Sequence, residues 1–153
     1  MNTPPALYDQ DFYAWTQEQA TLLDARQFAA LDLPHLIEEV VALGQSEQRE
    51  LYHRLTRLLE HLLKLHLAAR FLPHDFHRAG RGWRNTVRAQ RLELAKVLRA
   101  NPSLRPTVPA ELADAYAVAR LEVDTALALE EDVIPLLCPW SAEHVLDPAF
   151  WPE

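Results

Sequence analysis

Between Leu33 and Arg70, leucine and other apolar residues return at helical spacing, and this run constrains the fold more than any other feature of the chain. Placed at about 100° per residue around a helix, Leu36, Ile37, Val40, Val41, Leu51, Leu55, Leu58, Leu59, Leu62, Leu63 and Leu65 fall on one broad side. A side that long has to be covered by other elements. No run elsewhere alternates apolar and polar residues as a half-buried strand does, and leucine, alanine, glutamate and arginine dominate. The expected fold is therefore all-α, a single domain over residues 1–153, with about five helices bundled around the Leu-rich one and a short irregular C-terminal segment. The apolar phase survives Gly44, which suggests one helix from Leu33 to Arg70 with room there for a close crossing or a kink. Glycine also suits the position just past a helix end, so a break with a restart after Ser46 stands beside it.

The other elements have their own signals. Asp9 or Asp11 can cap a first helix bearing Phe12, Trp15, Thr16, Gln19, Leu22 and Leu23 on one side. Asp32 can cap the next start, with Pro34 tolerated in the first turn. "LPHDFHRAGRG", with two of the three glycines, reads as a loop. A helix from Trp83 to Ala100 is then stopped by Asn101 and Pro102. Another, from Pro109 to Leu129, carries Leu112, Tyr116, Ala119, Val123 and Leu127. Beyond Pro135, Ser141 can cap a turn or two. Tyr8, Phe12, Tyr13 and Trp15 lie near one end and Trp140, Phe150 and Trp151 near the other, so both ends are predicted to dock on the bundle, an aromatic partner-binding patch being the alternative.

A chain of 153 residues, 49% hydrophobic and 24% charged, can bury a self-sufficient core. Its one cysteine, Cys138, can close no disulfide and build no thiolate zinc site within the chain. The N-terminal stretch has prolines and acids in place of a basic start and an apolar run. Leu55 to Leu72 is interrupted by Arg57, Glu60, His61, Lys64, His66 and Arg70, so no membrane span is expected, and the expected location is the cytoplasm.

Charge is unevenly distributed. The net charge of −7 argues against general affinity for nucleic acid. Yet residues 70–99 hold eight basic and two acidic side chains, a net of +6, which leaves −13 for the remainder. Within "GRGWRNTVRAQR", Arg81, Arg84, Arg88 and Arg91 form one helical stripe, while Trp83, Val87, Leu94, Val97 and Leu98 take the other side. Such a stripe can pair internally with Glu38, Glu39, Glu47 and Glu50 or with Glu130, Glu131 and Asp132, and the charge sum favours that reading. Alternatively it faces an acidic protein partner, a second copy of the chain, or nucleic acid or another phosphate ligand. Trp83 can stack on a base, but its place beside Val87 and Leu94 makes it a core anchor.

Seven histidines raise a metal hypothesis. Glu50 and His53 have the Glu-x-x-His spacing of di-metal bundles, His61 shares their polar side, and His74 and His77 share the loop. The second Glu-x-x-His that such a centre needs is missing, so these five are weak candidates. His66, among leucines on the apolar side, reads as a hydrogen-bonded core histidine. Cys138 has no activating base nearby in sequence. No phosphate-cradling glycine loop, nucleophile elbow or His-Glu-x-x-His helix is present, so no cofactor is expected and catalysis is disfavoured.

The segments "YDQDFYAW", "LPHLIEEVVALG", "GWRNTVRAQR", "NPSLRP" and "CPWSAEHVLDPAFWP" occur in that order. Together they resemble a bacterial family known only as domain of unknown function 29. The resemblance implies a compact helical protein and carries no activity, and "LPHDFHRAGRG" is longer and richer in histidine than the corresponding family stretch. The functional expectation is a non-enzymatic interaction or regulatory module that uses Arg81, Arg84, Arg88 and Arg91, with Trp83 fixing the helix. A nucleic-acid or phosphate-ligand binder comes second, and a metal-dependent helical-bundle enzyme third.

Overall fold

The computed structural model describes residues 6–130 and 132–152. Among these the fold is all-α, with no strand: α1 Leu7–Gln10, α2 Phe12–Asp24, α3 Leu33–Phe71, α4 Pro73–Ala100, α5 Val108–Leu127 and α6 Ala142–Leu146. Two 3₁₀ turns, Phe28–Ala30 and Pro102–Thr107, precede α3 and α5. The chain divides into two compact units, Met1–Gln45 and Ser46–Glu153.

In the first unit, Asp11 caps α2 by accepting from the Ala14 N–H at 2.9 Å. Trp15 and Gln19 are buried on one side of that helix, and both reach the start of α3. The Trp15 indole N–H donates to the Asp32 carboxylate at 3.1 Å, and the Gln19 side-chain oxygen accepts from the Asp32 backbone N–H at 2.8 Å. Tyr8 stacks on His35 with ring centroids 3.9 Å apart, and Phe12 stacks on Trp15 at 5.6 Å. The aromatic residues near the N-terminus thus gather on the first turn of α3, except Tyr13, which is 73% exposed.

Helix α3 runs unbroken through Gly44. Among the described residues, no atom lies within 4 Å of where a Gly44 side chain would begin, so a close crossing is not what the glycine accommodates. The broad apolar side expected to be core throughout behaves differently along its length. Leu51, Leu55, Leu58, Leu59, Leu62 and Leu63 are fully buried, whereas Ile37, Val40 and Val41 are exposed.

The core of the second unit is built from those leucines, from Val87, Leu94 and Leu98 of α4, from Leu112, Ala115, Tyr116, Ala119 and Val123 of α5, and from Ile134 and Val145. Tyr116 resolves its burial by donating its hydroxyl to the Pro135 carbonyl at 2.7 Å, and burial pushes the phenol up to about 12. Trp83, Trp140 and Trp151 pack against this core, and Ser141 caps α6 by accepting from the His144 N–H.

Two expectations need correction. The segment read as a loop, "LPHDFHRAGRG", is helical from Pro73 onward. Proline fits the first turn, where its missing N–H has no intrahelical partner, and Gly80 is buried against the Phe76 ring, 3.6 Å from where a Cβ would stand. A Cβ there would meet that ring at ordinary van der Waals distance, so the glycine neither breaks the helix nor is demanded by its packing. Second, His61 lies in the interior although its neighbours place it on a polar side, and His66 is only half-buried, edge-on to Trp140 at 5.8 Å. The His61 ring donates from Nδ1 to the Arg57 carbonyl at 2.9 Å, and burial lowers its pKa, favouring the neutral form. Among the described residues no helix is long and apolar enough to cross a membrane.

Candidate functional site

Helix α4 presents the arginine stripe, and the structure splits it. Arg81, Arg84 and Arg88 are exposed, whereas Arg91 is 6% exposed. Helical geometry gives the reason: at about 100° per residue Arg91 lies about 80° round from Arg81 and only about 20° from Gly80 and Leu98, both buried. It sits at the border of the core.

Trp151, near the C-terminus, organises the stripe. The guanidinium carbons of Arg91, Arg88 and Arg84 stand 5.3, 5.4 and 6.0 Å from its ring, and Arg84 is also 5.4 Å from the Phe76 ring. Each contact is worth roughly 0.5–1 kcal/mol at an exposed site, since the electron-rich face of the ring attracts the cation. Arg91 also donates from Nε to the Val145 carbonyl at 2.9 Å. Its two terminal nitrogens are buried and have no hydrogen-bond partner among the described residues. Burial lowers the Arg91 pKa, and the charge of Asp147 opposes that shift. Ring faces can steady a guanidinium but leave the N–H groups at its edge unsatisfied.

Internal pairing with acids, the reading that the charge sum favoured, does not occur among the described residues of the second unit, to which the stripe belongs. None of the four arginines makes an ion pair there, and every ion pair joins side chains three or four positions apart on one helical stretch. The acids offered as mates are engaged elsewhere or unpaired. Glu39 accepts from the Tyr8 hydroxyl, Glu47 from the Asn101 amide at 2.9 Å, and Glu50 from Arg54 Nε at 2.7 Å, while Glu131 lies outside the described residues. Glu93, the acid nearest the stripe in sequence, takes Lys96 at 2.7 Å, which lowers its carboxyl pKa.

Arg81, Arg84 and Arg88 line a cleft of about 350 Å³ with Phe76, His77 and Gly80. Trp83 is half-buried and packs against the core. The residue that sequence reasoning missed is Trp151, counted only as a docking aromatic. Its sole signal was a large ring close to a chain end.

The metal candidates do not converge. His53, His74 and His77 are exposed, Glu50 is held by Arg54, and His61 is committed to the Arg57 carbonyl. Among the described residues no three His, Cys, Asp or Glu side chains gather where they could hold a metal ion. The Cys138 thiol donates to the Trp140 carbonyl at 3.3 Å, and burial raises its pKa, which disfavours the nucleophilic thiolate.

A family model described as "Domain of unknown function DUF29" matches residues 7–151. No curated protein and no solved structure matches the chain.

Proposed function

We propose that this chain, which belongs to the DUF29 family, is a non-enzymatic cytoplasmic interaction module that receives an acidic protein segment on Arg81, Arg84 and Arg88. One observation carries the reading. These guanidiniums are exposed and unpaired with carboxylates among the described residues, while Trp151 and Phe76 hold two of them in an ordered row. Arginine ordered in advance loses less freedom when it forms bidentate bonds to carboxylates. A second copy of the chain is one source of such acids, given the −13 carried outside residues 70–99. Nucleic acid has less support, because Trp151 is engaged by arginines and Trp83 packs against the core.

The test is to titrate wild type and Arg81→Glu/Arg88→Glu with a labelled polyglutamate peptide and a labelled single-stranded oligonucleotide, at several salt concentrations. Binding of the peptide that weakens with salt and disappears in the variant is expected. Preference for the oligonucleotide with a steep salt slope would replace this reading with the nucleic-acid one. Binding of neither at low salt would end it.

A further inference from the structure

Arg91, the buried member of the stripe, also borders a cleft that Arg81, Arg84 and Arg88 do not line. This cleft, about 240 Å³, is lined by Arg91, Ala95, Leu98, Arg99, Arg105 and Leu146. Arg99 comes from the last turn of α4 and Arg105 from the 3₁₀ turn that follows, so the bend at Asn101 is what brings them together. No acidic side chain lines the cleft, and neither Arg99 nor Arg105 makes an ion pair among the described residues. Asp147, whose charge reaches Arg91, lines a neighbouring cleft with Glu143 and His144.

The two terminal nitrogens of Arg91 supply the independent observation. They are buried donors without an acceptor, on a side chain whose Nε is already anchored to Val145. Burying such donors unsatisfied is costly, and in folded proteins they nearly always have a partner. From the meeting of Arg91, whose terminal donors lack an acceptor, with the exposed residues Arg99 and Arg105 on one small cleft, we infer that the cleft binds the phosphate group of a small phosphorylated molecule. A phosphate dianion offers acceptors in several directions and fits three guanidiniums, with Ala95, Leu98 and Leu146 left to contact the apolar part of the ligand. Arg91, Arg99 and Arg105 are the residues that bind it. The inference does not depend on the acidic-partner reading, which uses Arg81, Arg84 and Arg88.

Inorganic phosphate is the probe, titrated by calorimetry into the whole protein at constant ionic strength balanced with chloride. Side-chain nitrogen NMR of Arg91 is followed in parallel. Saturable binding is expected, with the Arg91 terminal N–H signals shifting along the same curve. Arg99→Gln/Arg105→Gln, which alters two exposed side chains, should weaken binding by about tenfold or more with the thermal midpoint preserved. Arg81→Gln/Arg84→Gln should leave it unchanged, so that failure of the stripe reading and failure of this one are told apart. Absence of saturable binding, an unmoved Arg91 signal, equal binding by the Arg99/Arg105 variant, or an equal response to chloride would each overturn the assignment.

Discussion

The two ends of helix α3 share one apolar phase and have opposite fates. Around Leu51 to Leu63 every residue of the stripe is at 0% exposure, while Ile37, Val40 and Val41 are 58%, 65% and 53% exposed. Periodicity records which side of a helix is apolar. Whether that side is covered depends on what the rest of the chain supplies: α4 and α5 bring a continuous set of buried residues to the leucines, whereas α2 contributes only Trp15 and Gln19 as buried residues to its unit. Stability should therefore be concentrated in the second unit.

The largest expected effect tests that contrast directly. Leu59→Ala should cost about 2–5 kcal/mol, because it opens a cavity in a close-packed core. Val40→Ala should stay within about 0.5 kcal/mol, as an exposed substitution does. Urea unfolding of the two variants measures both, and equal losses would break the comparison. Next comes Trp151→Ala, which removes a half-buried ring and three cation contacts and should cost about 2–3 kcal/mol. Its unfolding transition should move while Trp15, in the other unit, keeps its native fluorescence up to the onset of that transition.

Acid separates the units by sign. His61 has its pKa lowered by burial, so its contribution is complete above the ordinary histidine value and is lost as pH falls through the lowered one. In the first unit the His35–Asp32 pair, 2.7 Å apart, acts the other way around neutrality. The hydrogen bond from His35 lowers the Asp32 pKa, and the same bond raises that of His35. That pair contributes fully below the unfolded histidine value and above the unfolded aspartate value, and it weakens as pH rises through the raised His35 pKa or falls through the lowered Asp32 one. Between about pH 7.5 and 5.5, spanning the ordinary histidine range, the second unit should lose stability while the first gains. Hydrogen exchange in α5 and in α2 would read the two trends, and His61→Gln should flatten only the former.

A smaller loss is expected of Arg84→Glu/Arg88→Glu than of Leu59→Ala or Trp151→Ala. What these residues lose is contact with the Trp151 and Phe76 rings rather than with carboxylates, so the thermal midpoint should fall by only a few degrees, about 2–4 °C per kcal/mol at this chain length, and by nearly the same amount at low and high salt. A large fall that narrows as salt is added would mean that the arginines pair with the protein's own acids.

Signals written in neighbouring residues were legible. The cap at Asp11, the stop at Asn101, the buried row Leu112, Tyr116, Ala119 and Val123, and the turn opened by Ser141 depend on interactions within a few turns of chain, and each appears where the residue pattern places it. Residues 72–82 misled because Pro73 and two glycines are loop-forming on local grounds, whereas the burial of Gly80 and the packing of Phe76 against the core keep the segment within α4. His61 misled because its helical neighbours are polar, yet a ring bonded to the carbonyl four residues back can enter the core as a neutral group. The arginine stripe could be read from spacing alone, but not its division into three exposed side chains and one buried one.

By itself, then, the sequence determined an all-α chain, the apolar side of each long helix, and a cationic stripe on α4, because these follow from backbone periodicity and side-chain type. The tertiary structure decided which part of α3 is covered, that Trp151 returns to the arginines, and that Arg91, Arg99 and Arg105 meet on one cleft. Those depend on contacts between residues far apart in the chain, where burial and charge pairing are set by what packs alongside and not by the order of neighbours.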